Sequence, residues 1–368
     1  MWRSRALVIV TLFLLATGVW IGTIWNRDVR ELNRYVASVS SRHVPDTRED
    51  IATFQLEHGI FRHHLSGETS HPALWEVMRD SIAIRWPHVT VDVALLPDSS
   101  VIGRTSGLVS VAVGNLRREP RHGSELVDQA ILGTRLTILR ERRGWYQVKT
   151  EWNYIGWMTG SSIAFRDTMP ETDVRVRVNL AAIREAASPA APLRLQAPFG
   201  AAFESVAKRG SYREIRLPDG SSAFIAEGDI EAMPAATAST DGARLVTTAS
   251  RFQGLPYLWG GNSSSGFDCS GFTQTVFREQ GITLPRDANM QIRLGADVDT
   301  TGNFSQVQAG DLLYFGPNPD RITHVALSLG GARMIHASDY VQINSLDPAD
   351  TDFAPDRLRT LQAVKRIR

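Results

Sequence analysis

The sequence predicts a multidomain α+β chain: an N-terminal membrane segment, a small α/β unit, two tandem small β-barrels and a terminal α+β domain. Three observations carry that prediction. The 368 residues are too many for one core and enough for two to four domains. The run from Ala6 to Trp25 has no charged residue. Beyond it, mixed strand and helix periodicity gives way to short β-type runs, then to a helix that begins at the only cysteine, Cys269.

Composition narrows the function classes. Apolar content of 43% and charged content of 21% are ordinary for a folded globular protein. With 40 basic and 39 acidic residues, nothing favours a polyanion, and nucleic acid is excluded as a partner. A lone cysteine forms no internal disulfide, so Cys269 is either a small buried hydrophobe or a reactive thiol.

At the N-terminus, Arg3 and Arg5 precede twenty uncharged residues, 6–25. That length crosses a bilayer, and the flanking arginines keep the N-terminus cytoplasmic. A cleavable signal peptide is the competing reading, with Ala16 and Gly18 as its small residues. Because Trp20, Ile21, Ile24 and Trp25 continue the apolar run past that point, a retained inner-membrane anchor is favoured. Both readings make the rest extracytoplasmic, in the periplasm or cell envelope.

Residues 26–42 read as a polar tether or helical stalk, and 43–100 as the small α/β unit. Ile51 to Leu56 and Val89 to Leu95 alternate like half-buried strands. Ser70 and Pro72 mark a helix start ahead of Leu74, Val77, Met78 and Ile82. Six of the nine histidines (His43, His58, His63, His64, His71, His88) fall here without any zinc-type spacing. They read as scattered surface residues, so no metal is expected.

Residues 106–166 read as all-β, with runs at Val109 to Val113, Leu136 to Leu139, Tyr146 to Val148 and Tyr154 to Met158. Residues 172–234 form a weaker copy. Gly133 corresponds to Gly200, Gly144-Trp145-Tyr146 to Gly210-Ser211-Tyr212, and Gly156-Trp157-Met158 to Ser222-Ala223-Phe224. Two tandem barrels explain this better than one sandwich. The first copy, NLRREPRHGSELVDQAILGTRLTILRERRGWYQV with NYIGWM, resembles bacterial SH3-like domains attached to cell-wall enzymes. Ala235 to Thr240 reads as a linker.

Residues 240–368 hold the chemical signal. In PYLWGGNSSSGFDCSGFTQTVFREQGITLPRDANMQ, Asp268 is placed as N-cap, Phe272, Val276 and Phe277 keep helical spacing, and Gly281 can close the helix. Cys269 is then the first helical residue. The positive helix end and its free N–H groups stabilise a thiolate and can receive a developing oxyanion. An inert buried cysteine predicts apolar neighbours instead of Asp268, Ser270 and glycines. A thiol nucleophile also needs a proton partner. His324 opens the strand Val325 to Leu329, and His336 closes Met334 to His336 after a Gly330-Gly331 turn. Adjacent antiparallel strands can set the two imidazoles side by side, with His336 orienting His324.

FDCSG, the Gly310-Asp311-Leu312 turn, THVALSLGG and MIHAS together resemble the NlpC-type cell-wall peptidases, a permuted branch of the papain-like fold. The resemblance implies a Cys269, His324, His336 triad with Tyr257 close to the nucleophile and no cofactor. The whole layout is similar to the γ-D-glutamyl-L-diamino acid endopeptidases, which act on peptidoglycan peptides with a free N-terminal L-alanine. In that subgroup Asp287 matches the carboxylate that holds the substrate amine, and Ser270 and Arg286 also fall at matching substrate-binding positions. The resemblance further implies an acidic and an aromatic residue from the first barrel; Glu125 and Tyr154 are the nominees. Position 288 is alanine where the subgroup commonly has a small hydroxyl residue.

On local grounds alone, Asp287 is a helix N-cap, Glu125 a solvated loop charge and Tyr154 a barrel-core residue. Two other functions stay open in the sequence: a D,L-endopeptidase acting on intact peptidoglycan, and a non-catalytic wall-binding protein. The diamino acid and the oligomeric state are not written in it.

Overall fold

The computed structural model describes residues 27–59, 62–234, 240–300 and 303–367. The uncharged N-terminal run lies outside them. Among the described residues no helix is long and apolar enough to cross a membrane. The chain divides after Asp98 into two compact units.

In the first unit, strand Ala52–His58 pairs antiparallel with His63–Thr69, which pairs parallel with Val89–Leu95. Helix Pro72–Arg85 supplies the crossover that a parallel pair requires and buries Leu74, Met78 and Ile82. The middle strand, HHLSGET, is invisible to periodicity because it interleaves histidine, glycine and glutamate with one leucine. Two expectations are corrected here. Residues 27–43 are helical, as the stalk alternative has it, but Leu32 and Val39 are buried with Met78 and Trp86, so the segment belongs to the core and is no tether. Nor do the histidines all lie on the surface: His63 is 3% exposed, and the His63–His88 and His43–His71 rings pack edge to face.

The second unit holds two seven-stranded sheets and the terminal domain. The first sheet runs, edge to edge, through Ile163–Phe165, Ser106–Val109, Arg135–Arg142, Trp145–Thr150, Ile155–Thr159, Val113–Arg117 and Leu126–Ile131. The second runs through Ile230–Ala232, Val174–Val176, Ala202–Arg209, Tyr212–Arg216, Ser222–Ala226, Leu180–Arg184 and Leu193–Pro198. Strand for strand the orders coincide, so the weak sequence repeat is a repeat of topology. The pairing register moves one match. Tyr146 lies opposite Met158 and Tyr212 opposite Ala226, so Gly156-Trp157-Met158 corresponds to Phe224-Ile225-Ala226.

The terminal domain is a six-stranded antiparallel sheet ordered Ala296–Asp297, Leu361–Arg366, Ala309–Phe315, His324–Gly330, Arg333–Ala337, Val341–Ser345. Helices Gly242–Ser250 and Cys269–Arg278 pack on it. Phe252, Phe267 and Phe272 form a buried aromatic contact beneath the second helix, with centroids 5.0 and 5.9 Å apart in sequence order. A Cβ at Gly271 would sit 2.1 Å from the Gly261 carbonyl oxygen. Only glycine in FDCSG therefore allows the helix to lie against the Gly260-Gly261 loop.

Candidate active site

Asp268 caps the Cys269 helix by accepting from the Gly271 N–H at 2.7 Å, as its residue type predicts. Around that cap lies a buried polar network. Arg286 has no exposed surface. Its Nη1 donates to Asp268 Oδ1 at 3.0 Å and Ser270 Oγ at 3.1 Å, and its Nη2 to Asp268 Oδ2 at 2.6 Å and the Gly261 carbonyl at 3.4 Å. Its Nε donates to Asp128, a fully buried carboxylate on strand Leu126–Ile131 of the first barrel. Burial opposes the Arg286 cation, but Asp268 and Asp128 outweigh it and hold its pKa above the ordinary range.

Arg286 and Ser270, expected as substrate contacts, have their side chains engaged within the protein. Every guanidinium nitrogen of Arg286 is engaged, and the Ser270 hydroxyl donates to Asp268 at 3.2 Å while accepting from Arg286. They lock the helix start to the first barrel. Sequence reading missed Asp128 and its indole donor Trp152, which reaches Asp128 Oδ2 at 2.8 Å. A buried acid on a short β-run carries no local mark of a partner 158 residues away.

The cysteine itself is 8% exposed. Burial and then the Asp268 charge push its thiol up to about 12, although the Val325 and Ser270 backbone N–H groups act the other way. The helix-start position led the sequence reading to expect a lowered value. Dehydration and the capping carboxylate act against the helix end.

Strands His324–Gly330 and Arg333–Ala337 place the two imidazoles together: His324 Nε2 and His336 Nδ1 are 2.8 Å apart. On its far side, His336 Nε2 lies 2.9 Å from Asn344 Oδ1, and Asn344 Nδ2 donates to the Asp352 carbonyl at 3.3 Å. Burial, then His336 and Arg357, hold His324 well below the ordinary imidazole range. Burial brings His336 to about 4. Both rings are therefore neutral at pH 7.

Tyr257 is half-buried, and its hydroxyl is held above the usual tyrosine range by burial and the neighbouring Cys269 and Asp268 charges. It remains a donor throughout the working pH range.

The first barrel closes one side of this region. Tyr154, 6% exposed, donates from its hydroxyl to Asp287 Oδ2 at 3.1 Å. Asp287 stands at the N-cap of the short helix Ala288–Gln291, yet its side chain makes no capping bond. Nearby, Glu125 accepts from Arg118 Nε at 2.7 Å and from the Trp259 indole at 3.0 Å. Arg118, ahead of Trp259, holds the Glu125 carboxyl below its usual range. Each of its oxygens thus has one donor within the protein and further acceptor capacity.

Comparisons with known proteins now bear on this site. Residues 254–358 match the NlpC/P60 family, and residues 116–163 match the bacterial dipeptidyl-peptidase Sh3 domain. A Bacillus cereus gamma-D-glutamyl-L-lysine dipeptidyl-peptidase is 30% identical over 237 residues, covering 59% of this chain and 68% of that protein. The Bacillus subtilis protein of the same name is 29% identical over 222 residues, 57% of this chain and 71% of that protein. A crystal structure of an NlpC/P60 family protein from Bacillus cereus superposes with a TM-score of 0.62, covering 71% of this chain and 99% of that one at 24% identity, which speaks to the fold. Together these matches define a cysteine peptidase. The chain belongs to the NlpC/P60 family, with the bacterial Sh3 domain beside its peptidase domain.

Proposed function

We propose that this peptidase hydrolyses the γ-D-glutamyl–diamino acid bond of peptidoglycan-derived peptides with a free N-terminal L-alanine, through a thioester on Cys269. The contact between Tyr154 and Asp287 carries the reading: a carboxylate held by the first barrel suits an ammonium group at the end of a short peptide. The name of the Bacillus relatives, gamma-D-glutamyl-L-lysine dipeptidyl-peptidase, supports the same bond class.

In the proposed mechanism, His324 takes the thiol proton as Cys269 Sγ attacks the glutamyl carbonyl carbon. The C–N bond breaks as His324 returns that proton to the leaving amine. Water, deprotonated by His324, then attacks the thioester and releases the glutamyl carboxylate and the free thiol. His336 orients His324. The Cys269 backbone N–H and the Tyr257 hydroxyl are the proposed oxyanion donors. With a high thiol pKa and a neutral imidazole, proton transfer accompanies attack instead of preceding it.

The rival reading is cleavage of intact peptidoglycan. Comparing L-Ala-γ-D-Glu-L-Lys with its N-acetylated form tests the choice. Equal rates on the two would favour the intact-wall enzyme. We further propose export and anchoring by residues 6–25, on their lack of charge. N-terminal sequencing of the mature protein tests this, because a new terminus near Val19 would reveal a signal peptide.

A further inference from the structure

We propose that Asn344 is a positioning residue of this site: its side-chain oxygen fixes the tautomers of both histidines and so keeps a lone pair on His324 Nδ1 for the Cys269 proton. The inference rests on the catalytic reading of Cys269, His324 and His336.

The Asp352 carbonyl can only accept, so the Asn344 nitrogen must face it, as it does at 3.3 Å. The Asn344 oxygen then faces His336 Nε2 at 2.9 Å and must receive a proton from it. A neutral His336 with its proton on Nε2 has a lone pair on Nδ1. That lone pair, 2.8 Å from His324 Nε2, requires the His324 proton to sit on Nε2. His324 Nδ1 is left as acceptor. One amide thus sets the polarity of a four-group chain. Asn344 lies on strand Val341–Ser345, opposite Met334 and diagonal to His336, so strand register delivers it.

The other charges around the pair do not replace this function. Arg357, on helix Pro355–Thr360, disfavours protonation of both rings. Asp339, just beyond the His336 strand, favours His336 protonation weakly, and the Asp352 carboxylate is paired with Arg333 at 2.8 Å. Cys269 is held as a thiol. None of them chooses which ring nitrogen carries the proton.

Two substitutions in the full chain separate the effects. Asn344→Asp puts a carboxylate beside His336 and favours its imidazolium, whose Nδ1–H forces the His324 proton onto Nδ1. The acid limb of kcat/KM for L-Ala-γ-D-Glu-L-Lys should then rise by about one pH unit or more. Asn344→Leu removes the acceptor without adding charge; kcat should fall by about 10- to 100-fold with KM nearly constant, and the limb should not rise. Nitrogen-15 spectra of labelled histidine read the tautomers directly, whatever the substrate. The expected wild-type signature is protonated Nε2 on both rings, with His336 doubly protonated at higher pH in Asn344→Asp. Loss of activity in step with melting temperature, with the limb and tautomers unmoved, would overturn the inference. Failure of the catalytic reading shows separately, as hydrolysis that persists in Cys269→Ala.

Discussion

The Tyr154 hydroxyl and Asp287 Oδ2, 133 residues apart in sequence, meet at 3.1 Å where the first barrel abuts the peptidase domain. The contact joins a barrel-core tyrosine to a carboxylate that does not cap its own helix, so the barrel takes part in shaping the site.

Asp287→Asn should therefore reduce selectivity without much loss of stability. A charge-assisted bond to an ammonium contributes about 1.5–3 kcal/mol, so the preference for free over N-acetylated peptide should shrink by roughly one to two powers of ten. Because asparagine's amide oxygen can still accept from Tyr154 and no cap bond is lost, the melting temperature should fall by only about a few degrees. Measuring kcat/KM on both peptides beside thermal melts checks both parts. A large drop in melting temperature with selectivity intact would assign Asp287 to structure.

Arg286→Met should be far more damaging to folding. It leaves Asp128 and Asp268 as buried carboxylates without their shared cation. Breaking such a pair from one side costs about 3–5 kcal/mol. Urea denaturation measures it. A change below about 1 kcal/mol would mean that water already reaches the network.

Thiol chemistry supplies a pH test. With Cys269 pushed up to about 12, the free enzyme should react slowly with iodoacetamide at pH 7, and the rate should rise about tenfold per pH unit through pH 9. The proposed base must be neutral to work, and His324 is held below the ordinary imidazole range. Activity should thus persist as pH falls and be lost only when it drops through that lowered pKa. Fast alkylation that is flat above pH 6 would instead indicate a preformed thiolate.

The site was legible in the sequence where its signals are local. A cap residue, a helix-start cysteine and a hairpin between two histidines are written within a few positions of one another, and the structure holds His324 and His336 at 2.8 Å. Partners brought by distant strands were not. Asp128, Trp152 and Asn344 sit on β-runs or turns whose residue types look ordinary, and only tertiary register aims them at the site. The burial of the Cys269 thiol is not local either, because burial is a property of the assembled fold. Likewise the strand His63–Thr69 has too few apolar residues to announce itself, and its place between two others comes from pairing.

The central claim is that Cys269 forms a thioester during cleavage of a γ-D-glutamyl bond. Rapidly quenching the protein with L-Ala-γ-D-Glu-L-Lys, followed by mass spectrometry of intact protein and products, tests it most directly. The account predicts an L-Ala-γ-D-Glu adduct that maps to Cys269, release of free lysine and the dipeptide, and neither adduct nor products with Cys269→Ala. Continued hydrolysis by Cys269→Ala, or cleavage of a different bond by the wild type, would contradict it.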